Sequence, residues 1–165
     1  MEQSYCEATA KRRNSPATTA LKVMLIIITV LLLLSTLIIP WAAILGVIAA
    51  IILIWYWPRF DLMWEYVYCD GQLDFDQIYG GEKRKTKMRI EIEDADMIVP
   101  LESEKLYGYK QLGTKDYSSL DPEAKKYVIV IKTEKSPDKV KIVFEPSEKM
   151  LEMMHAKCPH TVFVH

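Results

Sequence analysis

Three hydrophobic rhythms divide the chain. From Val23 to Trp57 every position is uncharged, and only Thr29, Ser35, Thr36, Pro40 and Gly46 interrupt large apolar side chains and alanines. After Arg59 the pattern changes to short alternating runs. Lys85–Glu93 sets Met88, Ile90 and Ile92 on one side, and Lys87, Arg89, Glu91 and Glu93 on the other; period-2 alternation of this kind predicts a half-buried strand. Glu148–Lys157 switches to helical spacing, with Met150, Leu151, Met154 and Cys158 on one face.

The uncharged stretch holds two runs, residues 23–39 and 41–57, separated by Pro40 and closed by Pro58. Each run would measure roughly 26 Å as helix, against a hydrocarbon core of about 30 Å. One unbroken helix over both would be far too long to cross once. Pro40 lacks an N–H and clashes with the preceding turn, so the chain is expected to form a transmembrane helical hairpin over 21–58, turning near Ile39–Trp41. A re-entrant hairpin that crosses incompletely is the alternative. Trp41 is expected at the far interface, and Trp55, Tyr56 and Trp57 at the near one. The apolar run is too long for a cleaved signal peptide, and the cleavage position it would need falls beside Trp41.

Charge orients the hairpin. Lys11, Arg12, Arg13 and Lys22 precede it, Arg59 follows it, and the turn has no charge. The positive-inside rule then puts both termini in the cytoplasm, with the protein in the cell membrane. Residues 1–20 read as a flexible cytosolic tail, and 59–165 as the cytosolic body. That body carries 16 basic and 20 acidic residues from 60 onward within a chain of net charge −1, which argues against nucleic acid as a partner. Three widely spaced cysteines, Cys6, Cys69 and Cys158, make no disulfide framework and fit a reducing compartment.

Within the body, Leu62–Cys69 and Gln72–Tyr79 read as strands joined at Asp70-Gly71, a pair suited to a type I′ turn. Leu73 and Phe75 should face inward, Asp74 and Asp76 outward. Gly80-Gly81 turns the chain into the Lys85 strand. Asp94–Leu101 is an irregular segment or a short strand, and 102–126 mostly loop. Tyr127–Thr133 and Lys139–Glu145 form a hairpin through Lys135–Asp138. Pro146 opens the helix, Pro159 ends it, and Thr161–Val164 adds a last strand. The expected class is α+β: the hairpin, then an antiparallel sheet or partial barrel, then an amphipathic helix.

That order resembles the pleckstrin-homology-like (PH-like) domains of bacterial membrane proteins. The run Glu65–Ile78 (EYVYCDGQLDFDQI), the basic Lys83-Arg84-Lys85 and the ending Phe144–Leu151 (FEPSEKML) also resemble an uncharacterised family of small two-span proteins from Gram-positive anaerobes. The resemblance implies fold and location and lends no mechanism.

Several groups are candidates for chemistry. Lys83, Arg84, Lys85, Lys87 and Arg89 form the dense basic cluster and are the candidate contact with anionic lipid headgroups or a protein partner, against the plainer reading of a solvated strand face. Ala42, Gly46 and Ala50 recur every four residues, a face that lets helices approach closely; it serves either the chain's own first span or self-association. Asp70, Asp74 and Asp76 fail as a calcium loop, because Phe75 and Gly81 stand where Gly and Glu are needed. His155, Cys158, His160 and His165 lack the paired spacing of a structural zinc site. Tyr107, Tyr109 and Tyr117 lie in the loop region. No ionisable residue interrupts the spans, so no transport pathway is indicated. No nucleotide, hydrolase, metalloprotease or kinase motif occurs. The expectation is therefore a non-enzymatic, cofactor-free module binding a protein or the membrane surface. The alternatives are an accessory subunit assembling through the hairpin and a metal-dependent enzyme.

Overall fold

The computed structural model describes residues 5–14, 16–81, 83–133 and 138–163, with the side chain of Arg59 left out. The chain runs β1 (Tyr5–Lys11), α1 (Pro16–Ser35), α2 (Ala42–Tyr56), a 3-10 turn (Trp57–Phe60), β2 (Leu62–Cys69), β3 (Gln72–Tyr79) and β4 (Lys83–Glu91). It continues with β5 (Ala95–Pro100), a second 3-10 stretch (Glu104–Tyr109), β6 (Gly113–Asp116), β7 (Tyr127–Lys132), β8 (Lys139–Phe144) and α3 (Glu148–Lys157). Two four-stranded sheets result, β1-β2-β3-β4 and β5-β7-β8-β6. The first is antiparallel throughout, and in the second only β6 runs parallel to its neighbour, β8.

The core lies between the sheets. Tyr66, Phe75 and Phe144 meet edge to face at 5.6–5.8 Å, the geometry that ring quadrupoles favour. Trp64 and Phe75 hold Tyr117, and the buried Tyr66 hydroxyl donates to the Tyr117 carbonyl at 2.6 Å. Helix α3 closes the core with Met150, Leu151 and Met154. Its start is set by Ser147, whose Oγ accepts from the Met150 N–H at 3.2 Å, satisfying one of the orphan donors of the first turn. The β2–β3 turn has the expected chemistry, with φ of 47° at Asp70 and 103° at Gly71.

The tail expectation for residues 1–20 is corrected. Tyr5–Lys11 is a strand paired along the whole of β2, and α1 begins at Pro16. Cys6, Ala8 and Ala10 lie opposite Tyr68, Tyr66 and Trp64. Small residues there leave room for the large rings of β2, and this weakly apolar alternation is easy to miss in the sequence. The body is therefore not residues 59–165 alone. The 102–126 region also holds more structure than expected. Its 3-10 stretch packs Leu106 and Tyr109 over Val128, Val130 and Val143, and the polar strand β6 takes the sheet edge. The expected last strand reduces to one parallel bridge, Val162 to Ile98. Val164 and most of the Lys135–Asp138 turn fall outside the described residues.

Between β1 and β2 stand the apolar helices. Among the described residues α1 alone is long and apolar enough to cross a bilayer, and α2 is a shorter apolar helix of 15 residues. They contact each other where Gly46, buried, meets Leu33. Most of their remaining Leu, Ile and Val side chains are exposed.

Candidate functional site

Antiparallel pairing sets Lys11 opposite Met63, Leu62 opposite Tyr79, and Tyr79 opposite Lys83. These residues share one end of the first sheet, and both helices leave from it because they connect Lys11 to Leu62. The end is tightly built. Gly80, at φ 58°, donates its N–H to the Asp61 carbonyl at 3.0 Å. A Cβ there would stand 2.7 Å from Pro58 Cβ, so glycine is required on both counts. Lys22 Nζ lies 5.1 Å from the Phe60 ring centre and 5.9 Å from that of Trp57, within cation–π range. Lys11 pairs with Asp61 at 3.1 Å, and Arg13 with Asp121 at 3.2 Å.

The basic cluster divides into two sets on β4, an edge strand. Arg84 reaches across the sheet to Glu65 and lies 3.7 Å from Asp76. Arg89 grips Asp74 with two hydrogen bonds of 2.7 and 2.8 Å. Lys83, Lys85 and Lys87 are exposed and form no ion pair among the described residues. Lys83 lies at the helix-bearing end, with Lys85 two positions along. Lys87 sits at a register shift between Phe75 and Asp76. It lines a cleft of about 380 Å³ with Arg89, Lys115 and Lys132, whose charge is partly offset by Glu91 and Asp94. Its charged lining comes from β4, β6, β7 and the turn after β4, and its apolar lining is Met88, Ile90 and Ile131.

Asp76 is corrected from a wet outward position to a buried one, 5% exposed, facing Glu65 at 7%. Burial pushes the Glu65 carboxyl above its ordinary range, and Arg84 opposes that shift. Asp70 remains exposed, 3.8 Å from Lys157. The three aspartates are thus held by separate cations. His155 Nδ1 donates to the Val162 carbonyl at 2.8 Å, Cys158 is half-buried against the core, and His160 is exposed. His165 lies outside the described residues. Among the described residues no three His, Cys, Asp or Glu side chains gather as a metal site.

On α2, Gly46 is buried, and Ala42 and Ala50 are half-buried. The structure places Gly46 against the chain's own first helix, where a Cβ would meet Leu33 Cδ2 at 2.9 Å. The loop tyrosines part company: Tyr117 enters the core, Tyr109 packs on the second sheet, and Tyr107 is exposed beside Lys110. Leu120, unmarked in the sequence, stands exposed at the helix-bearing end with φ 65°. Nothing in its neighbours' residue types signals that conformation.

No curated protein and no solved structure matches the chain. A family of bacterial PH-like domains matches residues 2–164, a span that takes in β1, both helices and the two sheets. The chain belongs to the Bacterial PH-like domain family (DUF6106).

Proposed function

We propose that this protein is a two-span, membrane-anchored PH-like binding module that acts without catalysis, with both termini and the body on the cytoplasmic side. The pairing of β1 with β2 carries the reading. Tyr5–Lys11 and Leu62–Cys69 are neighbours in one sheet, so the chain that leaves this sheet must return to the same end of it. A single crossing by α1 would strand β1 across the membrane from its partner. A hairpin in which α2 returns the chain preserves the sheet, and the basic flanks set its orientation. Lys83 and Lys85 then lie near the membrane surface, where each basic residue contributes about 1 kcal/mol of attraction to anionic lipid. Because Gly46 already meets Leu33, the small-residue face is used within the chain. That favours a self-contained anchor over a subunit recruited through the same face.

The test uses a membrane-impermeant maleimide on intact cells. Cys69 is exposed at the turn remote from the helices, and is expected to react only after lysis. Ile38→Cys, placed between the helices in a Cys69→Ser chain, is expected to react from outside. Labelling of Cys69 in intact cells would overturn the cytoplasmic placement. An Ile38→Cys thiol that reacts only after lysis would replace full crossing by a re-entrant hairpin.

A further inference from the structure

Leu120 is a leucine held in the left-handed backbone region, φ 65°, with its side chain 39% exposed. Leucine rarely adopts that conformation, and a strained residue persists only where its surroundings over-determine it. Here they do. The Asp116 carboxylate accepts from Ser118 N at 2.9 Å and Ser118 Oγ at 2.6 Å. Glu145 accepts from Ser119 N at 2.8 Å and Ser119 Oγ at 2.7 Å. Ser118 Oγ in turn accepts from Leu120 N, and Ser119 Oγ from Asp121 N. From the other side, Arg13 N donates to the Ser119 carbonyl at 2.7 Å, and Arg13 Nη1 to Asp121. The loop is pinned on both flanks, yet the side chain it presents is left out of the core.

Its position explains what the presentation is for. Leu120 lines a cleft of about 260 Å³ with Phe60, Leu62, Arg12, Arg13 and Thr18. Thr18 belongs to the first turn of α1. The uncharged run begins at Val23, five residues on, or about 7.5 Å along a helix axis. An apolar prong flanked by guanidinium groups at this height suits the boundary between headgroups and acyl chains. We propose that Leu120, with Phe60 beside it, is a third membrane contact: it enters the interface next to α1 and α2 and fixes the tilt of the body on the bilayer. A leucine in this setting gains burial that the described residues supply only in part. The inference rests on the membrane anchoring proposed above.

The full chain, with Cys69 and Cys158 changed to Ser and Leu120→Cys added, would be labelled with an environment-sensitive dye. It would then be reconstituted in vesicles of phosphatidylcholine and phosphatidylglycerol. A second chain carries the dye on native Cys69, with Cys158 changed to Ser. Flotation with the vesicles reports the anchor independently of the dye. The expected result is a blue-shifted emission at position 120 that lipids brominated near the headgroup quench, with neither effect at Cys69. If the chain floats and the dye at 120 behaves like the dye at Cys69, the interfacial contact is overturned and the anchor stands. If the chain does not float, the anchor and the contact fall together.

Discussion

Glu65 and Asp76 face each other across the β2–β3 ladder, both buried, with the Arg84 guanidinium between them and solvent. Burial raises the Glu65 pKa, so the unfolded chain ionises this group at lower pH than the folded one does. Its contribution to stability is therefore largest below pH 4.5 and declines as pH rises through the folded value. Removing Arg84 would leave two facing carboxylates without their cation. Arg84→Gln is expected to lose about 2 kcal/mol at pH 7, less than a fully buried pair because Arg84 is half exposed. At pH 4 the loss should shrink, since Glu65 then carries its proton. Urea unfolding of the full chain in detergent at the two pH values checks this; equal losses would remove the carboxylates from the account. Leu120→Gly should raise stability in the same assay by about 1 kcal/mol, because glycine adopts the left-handed region without strain.

Among the elements, α1 and α2 depend on their close approach. A Cβ on Gly46 would meet Leu33 Cδ2 at 2.9 Å and the Leu33 backbone nitrogen at 3.4 Å. Gly46→Leu is therefore expected to push the helices apart at a cost of about 2 kcal/mol. This would be read from the thermal loss of helical circular dichroism in detergent, with the sedimenting mass of the complex unchanged. A change in mass would point instead to association through this face. For β1, the sensitive position is Ala10, 3% exposed and opposite Trp64. Ala10→Asp would bury an unpaired carboxylate, at about 2–3 kcal/mol, unless the strand detaches. Detachment should make the buried Cys6 react with alkylating reagents as readily as exposed Cys69, which mass spectrometry resolves. A Cys6 that stays protected would mean that the sheet tolerates the charge.

The whole molecule behaves as a two-sheet domain with an insertion. Arg12 N donates to the Leu62 carbonyl at 2.9 Å, and Lys11 pairs opposite Met63, so the helices bridge positions that a short turn could join. A chain with residues 14–60 replaced by a Gly-containing turn is expected to be water-soluble, β-rich and cooperatively folded. A body of residues 60–165 lacks β1, exposes Trp64 and Tyr68 along their open flank, and should unfold at lower urea. Circular dichroism and urea titration of the two chains test this. Equal stability would mean that β1 is dispensable and would remove the physical argument that the N-terminus must share the body's side of the membrane.

Residue order alone determined the elements whose signal is local. The Asp70-Gly71 turn follows from backbone sterics, and the apolar helices follow from a run without charge. The strands β3 and β4 follow from alternation, β2, β7 and β8 from short runs rich in aromatic and β-branched residues, and α3 from a proline and a spaced apolar face. The tertiary structure decided what depends on distant partners. Tyr5–Lys11 has little strand signal until Trp64, Tyr66 and Tyr68 receive its small side chains. β6, four exposed or half-buried polar residues, becomes a strand only beside β8. Arg84 and Arg89, indistinguishable from their lysine neighbours in a basic run, are separated from them by carboxylates on β2 and β3. Leu120 acquires its conformation from serines, acids and an arginine drawn from three parts of the chain. Periodicity reports a residue's own face; pairing between strands distant in sequence decides what that face meets.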